Sequence, residues 1–142
     1  YIAARAGTVL YRVGTTKFTA DGTYFIAVDG GLADNPRPAL YTAQYAAIMV
    51  DAPEVEGRFS SHIVGKFCES GDELIKGIMM PMVKRWDLML MPVAGAYHLS
   101  MSSNYNMATR PCVLWLEEGR EEVLQKRESP ELEGWWVSAD EA

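Results

Sequence analysis

Short apolar or alternating runs, each closed by turn residues, recur along the chain and predict strands more than helices. Thr8–Val13 is a β-prone run followed by Gly14, and Thr23–Val28 is another, closed by Asp29-Gly30-Gly31. Asp-Gly and Gly-Gly pairs supply the positive-φ positions that tight turns need. Asn35-Pro36-Arg37-Pro38 withholds N–H donors from helix and ladder alike and predicts a rigid loop. Ala39–Val50 mixes helix formers with Tyr41, Tyr45, Ile48 and Val50, and predicts one helical turn near Ala39 leading into a strand. Phe59–Phe67 predicts a strand, Cys68–Asp72 a turn and Leu88–Pro92 an apolar strand. Gly95-Ala96-Tyr97 opens a loop or short helix through Asn104, and Pro111–Glu117 with Glu121–Arg127 predicts a hairpin around Glu118-Gly119-Arg120. Ser129-Pro130-Glu131 reads as a helix start, with Trp135 and Trp136 docking that last element on the core.

Many short strands without β-α-β alternation predict a mainly β fold, a Greek-key-like barrel or sandwich with short helices, and argue against a doubly wound parallel sheet. No fixed-period repeat and no low-complexity segment interrupts the chain. Its 142 residues are the length of one domain, read as 1–142, and a 49% hydrophobic share is enough for a packed core. A 23% charged share excludes a disordered tail, and a net charge of -6 argues against non-specific nucleic-acid binding. Two cysteines are too few for a disulfide framework, so Cys68 and Cys112 are expected as free thiols, Cys112 in the core. The apolar run Asp87–Ala94 is too short and broken to cross a bilayer, and no signal peptide precedes it, so a soluble, cytoplasmic protein is expected. The opening Tyr1–Gly7 lacks an initiator Met and reads like the middle of a packed element, so the natural protein is expected to extend upstream.

Familiar catalytic signatures are missing. There is no phosphate loop, no dinucleotide-binding glycine pattern and no nucleophile elbow. No Cys-x-x-Cys or His-x-x-x-His pair exists to hold zinc, so no metal site is expected, and His62 and His98 stand far apart. Three loops carry the candidate chemistry. In Val28–Tyr41, the Pro-bracketed Arg37 stands four residues before Tyr41, and guanidinium and phenol on one side of a helical turn suit a carboxylate. A loop arginine capping backbone carbonyls is the plainer alternative. In Phe67–Asp72, a thiol followed at once by an acid, Cys68-Glu69, combines a proton donor with a cation binder; a small buried apolar cysteine is the alternative. In Pro92–Tyr97, small residues allow a ligand to approach the backbone and Tyr97 offers a hydroxyl to a phosphate or carboxylate; a tight turn with a buried Tyr is the alternative. Glu117, Glu118, Glu121 and Glu122 read as a solvated hairpin tip, and the methionines at 79–82 and 89–91 as core or interface filling.

In order, Val28–Tyr41, Gly65–Asp72, Gly95–Tyr97 and Ser100–Asn106 resemble the diaminopimelate decarboxylase family, pyridoxal-phosphate enzymes of the alanine racemase and ornithine decarboxylase fold type. Ala3–Thr8 with Tyr11–Gly14 is similar to the family segment that follows its Glu-Pro-Gly-Arg motif. The resemblance runs to about Arg127, while the tail with Gly134-Trp135-Trp136 departs from it. It implies the C-terminal β-domain of a two-domain enzyme whose N-terminal TIM-like barrel holds pyridoxal 5'-phosphate on a Schiff-base lysine outside this chain. It implies that Arg37 and Tyr41 grip a substrate carboxylate and that Cys68 reprotonates the α-carbon after CO₂ leaves. It implies further that Glu69 recognises the distal amino group and that Tyr97 touches cofactor phosphate and substrate. A homodimer with shared active sites is implied, the Cys68-Glu69 pair reaching across the interface. The implied reaction is meso-2,6-diaminopimelate to L-lysine and CO₂, with the chain alone inactive. Rivals are a related decarboxylase acting on ornithine, arginine or carboxynorspermidine, the ornithine-type enzymes carrying a Cys-Asp-Gly context instead of Cys68-Glu69-Ser70, and a non-catalytic β dimerisation module.

Overall fold

The computed structural model describes residues 2–130, which form two compact units, one ending at Ser102 and one beginning at Ser103. The predicted terminal helix and the docking of Trp135 and Trp136 lie outside the described residues.

The first unit is a six-stranded sheet curled into a half-barrel, as the mainly β pattern predicts. Its strands are β1 (Thr8–Phe18), β2 (Tyr24–Val28), β3 (Ile48–Met49), β4 (Phe59–Val64), β5 (Glu73–Met80) and β6 (Leu88–Pro92), in the order β3-β6-β1-β2-β4-β5. One short helix, α1 (Arg37–Tyr41), lies between β2 and β3. The neighbours β1–β2, β1–β6, β3–β6 and β4–β5 are antiparallel, and β2–β4 is parallel. A parallel pair needs a crossover, and residues 29–58 provide it. Because β1 runs against both β2 and β6, the strands β2, β4 and β6 all point the same way.

One face is packed. Tyr24, Ile26 and Val28 of β2, Ile63 of β4 and Met89 and Met91 of β6 are buried at alternate positions, with Tyr11 and Val13 of β1. Phe18 stacks on Tyr24 at 4.4 Å between ring centroids, and both meet Phe59 edge-on. The Tyr24 hydroxyl donates to the Val83 carbonyl at 3.2 Å and accepts from its N–H at 3.3 Å, which satisfies a phenol inside the core.

Several boundaries differ from the sequence expectation. Strand β1 continues through Gly14, where a register shift between Val13 and Thr15 marks a bulge against β2. Strand β4 ends at Val64, not Phe67, and the strand expected up to Val50 shrinks to Ile48–Met49. Strand β5 has no counterpart in the expectation: Gly77, at φ +74°, is skipped in the pairing with β4, so the period-two pattern changes phase inside it. Asn35–Pro38 opens a helix where a rigid loop was expected. Pro36 caps α1 and Pro38 lies in its first turn, where no N–H is required, and the Leu40 N–H donates to the Pro36 carbonyl.

The second unit holds the predicted hairpin, β7 (Val113–Glu117) with β8 (Arg120–Gln125), closed by Glu118 at φ +49° and Gly119 at φ +76°. Arg110 pairs with Glu128 at 2.6 Å and donates to Asn104 Oδ1 at 2.8 Å, which fastens the segment before the hairpin to the segment after it. Leu114, Trp115, Leu116, Val123 and Leu124 are exposed on the hairpin, and Cys112 is half-buried instead of belonging to the core. No helix among the described residues is long and apolar enough to cross a membrane.

Candidate active site

The co-directional strands β2, β4 and β6 send their following segments, 29–41, 65–72 and 93–98, off one end of the first unit. These segments carry the residues singled out from the sequence. Arg37 opens α1, and Tyr41, four residues on, ends it on the same side of the turn. Thr42 then takes the left-handed conformation and its N–H donates to the Pro38 carbonyl, stopping the helix.

Cys68 and Glu69 sit on consecutive tight turns. The Glu69 N–H donates to the Phe67 carbonyl at 2.6 Å, and the Asp72 N–H to the Glu69 carbonyl at 3.1 Å. Phe67 is buried and anchors the turn, while Cys68 and Glu69 are exposed. The exposed thiol contradicts the alternative of a buried apolar cysteine. Ser70 Oγ lies 3.4 Å from Glu69 Oε1.

Tyr97 is 63% exposed and adopts a left-handed conformation at φ +63°, so its turn does not bury it. That backbone state costs a non-glycine residue about 1 kcal/mol. Its loop is pinned from behind: the Ala94 N–H donates to the Gly7 carbonyl and the Gly95 N–H to the Ala4 carbonyl. A Cβ at Gly95 would strike the Ala3 carbonyl, so only glycine permits this approach.

Contacts on two sides join the loops. The Arg37 guanidinium lies over the Tyr97 ring at 5.7 Å, which brings the segments after β2 and β6 together. The Asp72 carboxylate accepts from the Leu32 N–H at 2.6 Å and the Phe67 N–H at 2.8 Å, and the Lys66 N–H donates to the Gly30 carbonyl at 2.9 Å. Asp72 therefore stitches the segment after β2 to the turn that carries Cys68. Gly31 and Gly65 leave the space it occupies, since a Cβ on either would collide with its carboxylate. Burial raises the Asp72 pKa against these two hydrogen bonds, and burial also raises that of nearby Asp34. The Tyr11 phenol, buried among Asp34, Asp72 and Asp29, is held neutral far above its ordinary pKa.

The structure also supplies residues that the sequence reading did not assign to the site. Tyr45 accepts from Arg37 Nη1 at 3.2 Å through its hydroxyl, so Arg37 has a side-chain partner and is not a cap for backbone carbonyls. His98 packs edge-on to Tyr45 at 5.8 Å between ring centroids and is 7% exposed. Burial, and then the Arg37 charge, lower its pKa to about 4. Only the spacing of Asp72, closing the Cys68 turn, was a visible sign; Tyr45 follows irregular chain and His98 has no periodic pattern around it. His62 is satisfied by Glu73 on another part of the sheet. Among the described residues no hydrogen bond or ion pair joins Cys68 to Arg37, Tyr41 or Tyr97, and Tyr41 remains 62% exposed.

Diaminopimelate decarboxylase of Bacillus subtilis (strain 168) is 44% identical over 126 residues, 89% of this chain and 29% of the relative. That of Staphylococcus aureus (strain COL) is 43% identical over 129 residues, 90% of this chain and 30% of the relative. The crystal structure of diaminopimelate decarboxylase from Helicobacter pylori complexed with L-lysine matches with a TM-score of 0.82 at 31% identity, covering 94% of this chain and 33% of that one. The chain thus spans about 30% of the length of the curated relatives it matches. Residues 1–95 match the family described as pyridoxal-dependent decarboxylase, C-terminal sheet domain. With its curled sheet and its loops gathered at one end, the chain belongs to the C-terminal sheet domain family of the pyridoxal-dependent decarboxylases.

Proposed function

We propose that residues 1–142 are the C-terminal β-domain of a cytoplasmic, homodimeric diaminopimelate decarboxylase that converts meso-2,6-diaminopimelate to L-lysine and CO₂. An N-terminal barrel of the same protein completes each site and carries the Schiff-base lysine. The observation that carries this reading is the gathering of three loops at one end of the first unit, with Arg37 on Tyr97 and the Cys68 turn tied in by Asp72. Identity of 43–44% to diaminopimelate decarboxylases supports this substrate over those of related decarboxylases. The apolar side chains exposed on the hairpin support further packed surface in the whole protein.

The residues fit one side of a pyridoxal phosphate pocket: Tyr97 offers an exposed phenol beside the positive charge of Arg37. When bound, the cofactor supplies the electron sink for the pair left as CO₂ departs. Tyr97 would hold its phosphate through the phenol hydroxyl and would touch the substrate. Arg37 and Tyr41, one turn apart, hold a substrate carboxylate through a guanidinium fork and a phenol. Cys68 delivers a proton to the α-carbon, and its place on an exposed tight turn suits a group that reaches a site completed by a partner subunit. Glu69, its neighbour, binds the distal ammonium.

The test is Cys68→Ala in the full-length protein. Retained cofactor binding with steady-state formation of L-lysine from meso-diaminopimelate lowered at least ~100-fold is expected. Near-wild-type L-lysine formation would remove Cys68 from the reaction and with it this reading of the loops.

A further inference from the structure

An arginine that recognises a carboxylate must hold its planar fork in one orientation, and its long side chain does not do so unaided. Pro36 and Pro38 fix the backbone at Arg37 but none of its side-chain torsions. Two neighbours do that. The Tyr97 ring lies against the guanidinium at 5.7 Å, and the Tyr45 hydroxyl takes a hydrogen bond from Nη1 at 3.2 Å. Tyr45 follows α1 on irregular chain, and its phenol needs support of its own. The His98 imidazole, next in sequence to Tyr97 and buried, meets its ring edge-on. Neither ring nitrogen of His98 has a hydrogen-bond partner among the described residues, so its contact with Tyr45 is one of packing. Residues 37, 45, 97 and 98 thus form a closed set of contacts drawn from two loops.

We propose that Tyr45, backed by His98, is a positioning residue for Arg37: its hydroxyl holds one edge of the guanidinium so that the remaining N–H groups stand ready for a substrate carboxylate. This rests on the reading of Arg37 as the carboxylate binder. Tyr45 acts before the substrate arrives and makes no contact with the reacting atoms. Its removal therefore weakens binding of the substrate and its transition state alike, a signature that a fault in folding does not reproduce.

The experiment uses the full-length holoenzyme with meso-diaminopimelate. Tyr45→Phe deletes the hydroxyl and keeps the ring and its packing on His98. KM is expected to rise about 3- to 10-fold with kcat within about twofold and the thermal midpoint unchanged. His98→Ala, which removes the backing ring, is expected to raise KM as well, and the double variant to be no worse than the poorer single one, because both act through the same guanidinium. Arg37→Ala is the reference. If it raises KM while Tyr45→Phe leaves KM unchanged, the positioning role is overturned and the carboxylate role stands. If Arg37→Ala itself leaves KM unchanged, the carboxylate role is overturned and the positioning role falls with it.

Discussion

At position 98 an imidazole lies out of water beside a guanidinium, and both circumstances disfavour its charged form. An unfolded chain protonates His98 near its ordinary value of 6.5, whereas the fold resists protonation down to about 4. Between these values the unfolded state binds more protons, so stability is retained above 6.5 and lost as pH falls through this window. The loss attributable to His98 is expected to reach up to about 3 kcal/mol by pH 4. Asp34 and Asp72 work in the opposite sense, since their raised values favour the protonated fold and their contribution fades as pH rises. Comparing urea midpoints of the full-length protein and its His98→Asn variant at each pH cancels the carboxylates. The variant is expected to show the flatter profile, and parallel profiles would refute the assignment. The sequence displayed His98 without any of this, because a pKa belongs to a neighbourhood and Arg37 and Tyr45 reach it only through the fold.

At the level of elements, the parallel pairing of β2 and β4 sets the site. It places the segment after β2 and the turn after β4 side by side, and Asp72 then joins them through two backbone N–H donors. Asp72→Asn is informative because its amide cannot accept on both sides: one N–H would face an NH₂. A loss of about 1–3 kcal/mol in stability is expected, with a larger fall in turnover than in cofactor binding because the Cys68 turn is freed. An unchanged urea midpoint would show that the stitch contributes nothing. The strands themselves were legible to different degrees. Tyr24–Val28 and Leu88–Pro92 are unbroken apolar runs, buried at alternate positions in the fold, and were readable almost to the residue. Strand β5 was not, because Gly77 shifts the pairing with β4 and breaks the alternation on which such a reading depends. Pro36 and Pro38 misled in another way: the same missing N–H that excludes proline from a helix interior is harmless in the first turn.

For the molecule as a whole, the relatives being about three times as long fits a site of which this chain holds one side. The chain alone, mixed with pyridoxal phosphate and meso-diaminopimelate, is expected to release no CO₂ and to show no cofactor absorbance beyond nonspecific lysine adducts. Turnover by residues 1–142 would show a complete site here and would refute the need for a barrel. The residues bearing the candidate chemistry, Arg37, Tyr41, Cys68, Glu69 and Tyr97, and the mainly β class were readable from order along the chain, since residue type and local alternation are properties of consecutive positions. Which strands would lie parallel, that Arg37 would rest on Tyr97 and bond Tyr45, and that Asp72 would fasten two loops 40 residues apart were decided only by the tertiary structure. Such contacts are made between segments whose separation along the chain carries no trace of their nearness in space.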